Sequence, residues 1–264
     1  MTPRPPREPI SISTLTGQLL SLGVVPGGVL LVHTSFSRVA PVEKGPLGLI
    51  EALLTALGPQ GTLVMPSMSD DDDTPFDRAT TPCLAMGVVA DTFRTLPGVL
   101  RNDSPHAFGA LGPHAPAITA DQPMGLPHAP QSPVGRCHDL DAQILLLGVD
   151  HDADTTLHLA EAVAGVRYRA AKHFHYYREG IPTRHDYLET DHCCERFTLV
   201  NDWLESEGAQ RRAQVGHALA RLAPSRTIVR LATAHLRRDE TLFLHPPGTD
   251  PECDAARESL ASAT

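Results

Sequence analysis

Three short apolar runs constrain the fold more than any other feature of the chain: Gly28–Val32 (GVLLV), Gly61–Met65 (GTLVM) and Ile144–Gly148 (ILLLG). Each is shorter than a stable helix and is bounded by glycine or polar residues. Such runs read as strands buried on both faces, which occur in parallel or mixed sheets covered by helices on each side. Helical spacing lies between them, at Thr14–Leu22 stopped by Gly23, at Pro46–Leu57 ended by Gly58, at Met86–Leu96 and at Thr155–Ala164. The pattern also predicts a hairpin from 172–178 and 183–188 around Gly180-Ile181-Pro182. Beyond it the tail reads as helix 211–222, strand 227–231, helix 232–237, strand 241–244 and a last helix from Pro251. The expectation is one elaborated α/β domain over residues 1–264, with an antiparallel addition to a partly parallel sheet.

Each of the three runs leads directly into a polar cluster, and this gives them a bearing on function. Val32 leads into His33-Thr34-Ser35, Met65 into Pro66-Ser67-Met68-Ser69-Asp70, and Gly148 into Asp150-His151-Asp152-Ala153-Asp154-Thr155-Thr156. Ligands of open α/β sheets bind beyond the carboxyl ends of the strands, so three reactive clusters at three such ends converge on one crevice if the strands are neighbours.

Composition narrows what that crevice can hold. The 31 Asp and Glu against 22 Lys and Arg leave a formal charge of −9, which argues against nucleic acid and favours a cationic small molecule. With 264 residues the chain can bury about three quarters of its surface, enough for a core without a disulfide or metal staple. No apolar run approaches the ~20 residues of a membrane span. The segment MTPRPPREPISIS has basic residues but no apolar stretch behind them, so it does not read as a signal peptide. Five cysteines, two of them adjacent at 193 and 194, do not form a secreted disulfide framework, and the expected compartment is the cytosol. The 24 prolines, clustered at 3–9, 105–133 and 246–251, predict long ordered loops.

Among single residues His158 stands out. It comes just after Asp154-Thr155-Thr156, an N-cap run, and so falls in the first turn of a helix, whose positive end disfavours an imidazolium and keeps the ring neutral, as a general base requires. Glu161 shares its face three residues on. In Tyr187-Leu188-Glu189-Thr190-Asp191-His192-Cys193-Cys194-Glu195, Glu189 and Asp191 project to one side of a strand and could orient a histidine or bind ammonium groups. The run Asp70–Asp73, with Asp77, could wall a cation pocket. Cys193, Cys194, His192, Asp191 and Cys253 are potential metal ligands, but neither CxxC nor HExxH occurs and adjacent cysteines diverge. A bound zinc ion is therefore not favoured, and whether any metal is held stays open. Two other classes fit the same clusters: a metal-dependent hydrolase using His151, Asp152, Asp154, His192 and the cysteines, and a non-catalytic cation-binding module.

The stretches GGVLLVHTSF (27–36), GPLGLIEALLTALGPQGTLVMPS (45–67), MGVVADTFRTLP (86–97), QILLLGVDHDADTTLHLAE (143–161), DYLETDHCCERF (186–197), FLHPP and ECDAAR resemble the aminoglycoside 3-N-acetyltransferase family, most closely its type IV apramycin- and gentamicin-resistance branch. The resemblance implies a three-layer α/β/α fold with a mixed sheet, distinct from the common GNAT acetyltransferases. It implies transfer of acetyl from acetyl-CoA to the 3-amino group of the 2-deoxystreptamine ring. By the same resemblance His158 is the catalytic base, Glu189 and Asp191 supply its supporting acid, and His33, Thr34 and Ser35 line the acetyl-CoA side. Family members carry a His-Pro pair where this chain reads Asp103-Ser104-Pro105-His106-Ala107-Phe108, so that histidine's contacts must be met differently.

Charge-assisted hydrogen bonds to a polycationic aminoglycoside would come from Asp72, Asp73, Asp77, Glu189 and Asp191. Oxyanion donors would come from Thr34-Ser35 or from Thr155-Thr156. Arg38, Lys44 or the helix opening at Pro46 would meet the CoA phosphates. Cys193 is the thiol that an acetyl-enzyme route would use.

Overall fold

The computed structural model describes residues 8–69 and 71–262. Among the described residues nine strands form in chain order: β1 (Val29–Thr34), β2 (Thr62–Pro66), β3 (Leu100–Arg101), β4 (Phe108–Leu111), β5 (Gln143–Leu147), β6 (Ala170–Arg178), β7 (Ile181–Glu189), β8 (Arg211–Val215) and β9 (Ala218–Pro224). Seven of them make one sheet in the order β3-β4-β2-β1-β5-β9-β8, and β6 pairs with β7 alone. The three apolar runs become the central strands β2, β1 and β5, which are parallel and in register at Leu31↔Val64 and Val32↔Leu145. The outer pairs β2–β4, β3–β4, β5–β9 and β8–β9 are antiparallel, so the sheet is mixed.

Alternation along the central strands divides the apolar residues between two cores. Leu30, Val32, Leu63, Met65, Leu145 and Leu147 face helices Ile12–Leu22 and Pro46–Leu57. Leu31, Val64, Ile144 and Leu146 face helices Thr156–Ala164 and Ser225–Leu236. Helices thus cover both sides of the sheet, giving the three-layer α/β/α arrangement.

The tail differs from its sequence pattern. Residues 211–222, read as a helix, form the β8–β9 hairpin, and 227–231, read as a strand, lies inside helix Ser225–Leu236. Two local facts decide the first case. Gly216 adopts φ +61 in the connecting turn, and β9 satisfies the open edge of β5 through pairs such as Leu145↔Leu222. In the second, Ile228, Leu231, Ala232 and Leu236 are buried at helical spacing, so packing overrides the β-branched run Thr227-Ile228-Val229. Residues 232–237 continue that helix up to Leu236, and 241–244 is a turn rather than a strand. The proline-rich stretch from 105 also holds more than loop: β4 pairs with β2 at Met65↔Gly109, and Pro133–Asp139 is a helix.

Candidate active site

The carboxyl ends of β1, β2 and β5 do meet. His33 and Thr34, Pro66 and Met68, and the loop from Val149 to Thr155 line a cleft of about 320 Å³ together with His158 and Phe197. Gly148 (φ +74) turns the chain out of β5, where a Cβ would stand 3.1 Å from the Arg38 side chain and 3.2 Å from the Ser35 carbonyl. Asp154 then starts the next helix. Its carboxylate accepts from the Thr156 amide (3.0 Å) and lies 3.0 Å from His151 Nδ1. Burial alone would raise the Asp154 carboxyl, but His151 and the Thr156 contact outweigh it and hold the group below its ordinary value.

His158 sits in the first turn of helix Thr156–Ala164, and its side chain keeps 22% of its exposure while Glu161 keeps none. Glu161 Oε2 accepts from His158 Nδ1 at 2.8 Å. The other oxygen accepts from His192 Nε2 at 2.8 Å and from the Tyr168 hydroxyl. The Cys194 amide donates to His192 Nδ1 at 3.0 Å, which places the His192 proton on Nε2, facing Glu161. A buried carboxylate is tolerable only when its lone pairs are met, and here three donors meet them. The two histidines override the upward push of burial and bring Glu161 down to about 2.

The same pairing sets the charge of His158. Burial acts to lower the imidazole. The Cys194 sulfur, 3.6 Å from Nε2, and the Glu161 carboxylate overcome this and hold the ring well above the ordinary histidine value. The helix N-terminus therefore does not decide the matter, contrary to the sequence reading, because a hydrogen-bonded anion at 2.8 Å outweighs partial charges spread over a helix end.

The carboxylate hydrogen-bonded to His158 is Glu161, whereas Asp191 and Glu189, expected there from sequence, bond to other groups. Asp191 pairs with Lys172 at 2.6 Å, and Glu189 accepts from the Tyr187 hydroxyl at 2.9 Å. Glu189 nonetheless shares a small pocket with His158, His128 and Thr190, so it remains on the site's wall. His128 stacks on His158 (centroids 5.4 Å, 22° between planes), and burial together with its histidine neighbours keeps it well below the usual value. His106 Nε2 lies 2.8 Å from the Tyr187 hydroxyl, joining the segment that departs from the family pattern to β7.

Of the other expected residues, His33 is buried with Nε2 3.3 Å from the Thr155 hydroxyl, and burial lowers it. The hydroxyls of Thr34 and Thr156 are buried without a partner. Ser35 Oγ faces Ser37 Oγ at 3.3 Å. Arg38 donates to the Gly148 carbonyl, and Lys44 pairs with Glu51. Asp70 lies outside the described residues. Asp72 and Asp73 run beside β6: the Asp72 carbonyl accepts from the His175 amide (3.0 Å), and Asp73 lies 3.3 Å from His173 Nε2. Asp77 caps its own turn by accepting from the Ala79 amide at 2.7 Å and borders a separate cleft of about 310 Å³. Arg101, brought down to about 10 by burial, fastens this acidic loop by donating to the Ser67 and Thr81 carbonyls.

Sequence reasoning missed Tyr168 and His128 as members of the site; it named His192 and Cys194 only as potential metal ligands and His106 only within the segment that departs from the family pattern. It also named Cys193 as the reactive thiol, whereas Cys194 faces His158 and Cys193 faces Cys253 (3.5 Å). Among the described residues, His151, Asp152 and Asp154 do not direct three ligand atoms at one point, which removes the main support for a hydrolytic metal centre. A larger cleft of about 610 Å³, beside helix Pro46–Leu57, offers only Glu51 as a titratable group and is no site for acid–base chemistry.

A family model described as aminoglycoside 3-N-acetyltransferase matches residues 31–237. Aminoglycoside N(3)-acetyltransferase IV of Salmonella sp is 59% identical over 235 residues, spanning 88% of this chain and 90% of that protein. The crystal structure of the apoenzyme of aminoglycoside acetyltransferase AAC(3)-IVa superposes with a TM-score of 0.94 at 56% identity, over 97% of this chain and all of that one. A histidine-to-alanine mutant of that protein, in complex with a gentamicin, superposes equally well, with a TM-score of 0.94, 56% identity and the same coverage of 97% and 100%.

Proposed function

From the premise that the chain belongs to the aminoglycoside 3-N-acetyltransferase family, we propose how its own residues carry out acetyl transfer to an aminoglycoside. The acetyl donor is acetyl-CoA, the acceptor is the 3-amino group of the 2-deoxystreptamine ring, and the working unit is the whole chain, 1–264, as one domain. The reaction takes place in the cytoplasm, and no helix among the described residues is long and apolar enough to cross a membrane.

The observation that carries the mechanism is the hydrogen bond of His158 Nδ1 to buried Glu161 at the junction of three strand ends. With Nδ1–H committed to Glu161, Nε2 is the nitrogen left to take a proton. In the free protein the ring is raised and readily charged. A polycation settling beside it penalises the second positive charge and returns Nε2 to its basic form. His158 then takes a proton from the 3-ammonium group, and the amine attacks the thioester carbonyl. The thiolate of CoA leaves and recovers the proton from the imidazolium, which Glu161 stabilises; the freed Nε2 then accepts the second proton, the one still on the acetylated nitrogen, and passes it to solvent, leaving the neutral amide. The Thr34 and Thr156 hydroxyls, buried without partners, and Thr155 beside His33 are the nearest candidates to meet the oxyanion. Asp72, Asp73 and Glu189 hold the drug's other ammonium groups. Asp191 does so less, since it already has Lys172, and Asp77 faces a different cleft.

The test monitors free CoA thiol in mixtures of protein, acetyl-CoA and gentamicin or apramycin. Release should require the drug, and His158→Ala should lower kcat by ~10²–10⁴ with little change in drug affinity. Thiol release without any drug would indicate a hydrolase instead. Drug binding without release would indicate a binding module. Near-normal turnover by the variant would remove His158 from the mechanism.

A further inference from the structure

Behind the active site, three segments bring soft and borderline metal ligands together. Cys193 comes after β7, His245 lies in the tail after helix Ser225–Leu236, and Cys253 stands in the first turn of helix Pro251–Ser262. The Cys193 and Cys253 sulfurs are 3.5 Å apart. That is far beyond the ~2.05 Å of a disulfide and close to the ~3.8 Å that two sulfurs adopt when each lies ~2.3 Å from one tetrahedral zinc ion. Ligand atoms of Cys193, Glu195 and His245 also lie within 4.8 Å of one another. His245 Nε2 is buried and makes no hydrogen bond, although the Glu195 carboxylate is 3.3 Å away. A buried imidazole nitrogen without a hydrogen bond, two unbonded thiols and a carboxylate around one sulfur are a donor set without a common acceptor.

We propose that Cys193, Cys253, His245 and Glu195 bind a zinc ion in a closed, structural site. His192 also comes within 4.8 Å of both sulfurs, but both of its ring nitrogens are committed, one to Glu161 and the other to the Cys194 amide. The two clusters share Cys193, and two sulfurs, one nitrogen and one oxygen drawn onto one ion would complete a tetrahedron with no position for water, leaving the ion no part in the chemistry. Its work is to tie the loop that carries His192 and Cys194 to the C-terminal helix. That helix is otherwise held to the tail by Arg257, which donates to the Leu244 and His245 carbonyls. The proposal departs from the sequence reading, which looked for CxxC spacing and a shared role for adjacent cysteines. The ligands instead come from segments up to 60 residues apart, and Cys194 turns away at φ +61.

The experiment is elemental analysis of the full-length protein after exhaustive dialysis, with Cys253→Ser and Cys137→Ser alongside. About one zinc per chain is expected in the wild type and in Cys137→Ser, whose thiol is buried elsewhere, and a loss of more than half in Cys253→Ser. Should Cys253→Ser not fold, cobalt exchanged into the wild type gives an independent readout: a thiolate-to-cobalt charge-transfer band and the visible spectrum of a tetrahedral ion. A wild type without stoichiometric zinc that also gives no such spectrum with cobalt overturns the proposal. So does a mass two hydrogens short, with Cys193 and Cys253 joined as a disulfide. None of these readouts uses acetyl transfer, so they fail or succeed apart from the mechanism above.

Discussion

Glu161 is asked to do three things at once: accept from His158, from His192 and from Tyr168, all without contact with solvent. Each partner has a separate reason to be there. His158 reaches it along one helix face, His192 is turned by the Cys194 amide, and Tyr168 is a fully buried phenol that must find an acceptor. The thiol of Cys194, 3.6 Å from His158 Nε2, raises the question of a covalent route. In direct transfer from a ternary complex that sulfur helps to raise the imidazole but never carries the acetyl group. Cys194→Ala should therefore keep kcat within about tenfold of the wild type, and no acetylated protein should appear by intact mass when acetyl-CoA is added alone. An acetyl adduct lost in the variant, with turnover falling beside it, would move the chemistry onto the cysteine. His158 and Glu161 were legible from sequence because they share a motif and a helix face. The pairing of Glu161 with His192 was not, since 31 residues and a hairpin separate them.

At the scale of elements, the central strands were the easiest to read and the sheet edges the hardest. Leu31, Leu63 and Leu146 are buried because their strands have neighbours on both sides, so an unbroken apolar run suffices to mark them. The β8–β9 hairpin has one exposed side, and its alternation is blurred by Ala213, Ala218, Ala220 and Ala223, which suit a helix equally well. What settles it is the turn. Gly216 sits at φ +61, and a Cβ there would lie 2.8 Å from Val39 Cγ1 and 3.0 Å from the Val39 carbonyl. Gly216→Ala should destabilise the protein by about 1–3 kcal/mol in denaturant unfolding. Because the turn packs on Val39 and none of its residues lines the cleft, kcat should not change. An unaltered midpoint would mean that the turn adopts another conformation.

Across the whole molecule, one sheet collects chemistry from residues 33 to 158 at a single edge of its central strands, while the acidic loop 71–77 bonds along β6 and Glu189, at the end of β7, shares a small pocket with His158. The net charge of −9 suits the drug and opposes CoA. Attraction of a polycation by this field weakens as salt shortens the Debye length, from ~10 Å at 0.1 M toward ~3 Å at 1 M. The KM for a multiply charged aminoglycoside should rise with ionic strength, while that for acetyl-CoA stays level or falls. A drug KM indifferent to salt would confine recognition to the buried contacts.

The catalytic account rests on His158 being a base whose strength Glu161 helps to set, beside the Cys194 sulfur, and a pH profile addresses that relation directly. For the wild type, kcat/KM should climb with pH along a limb lying above the ordinary histidine range, because Nε2 becomes available only as the raised imidazole loses its proton. Glu161→Gln removes the anion that favours the charged ring, so the limb should move to lower pH and the plateau should fall. A limb at the same pH in both proteins, with equal plateaus, would contradict the assignment of His158 and Glu161 as a working pair.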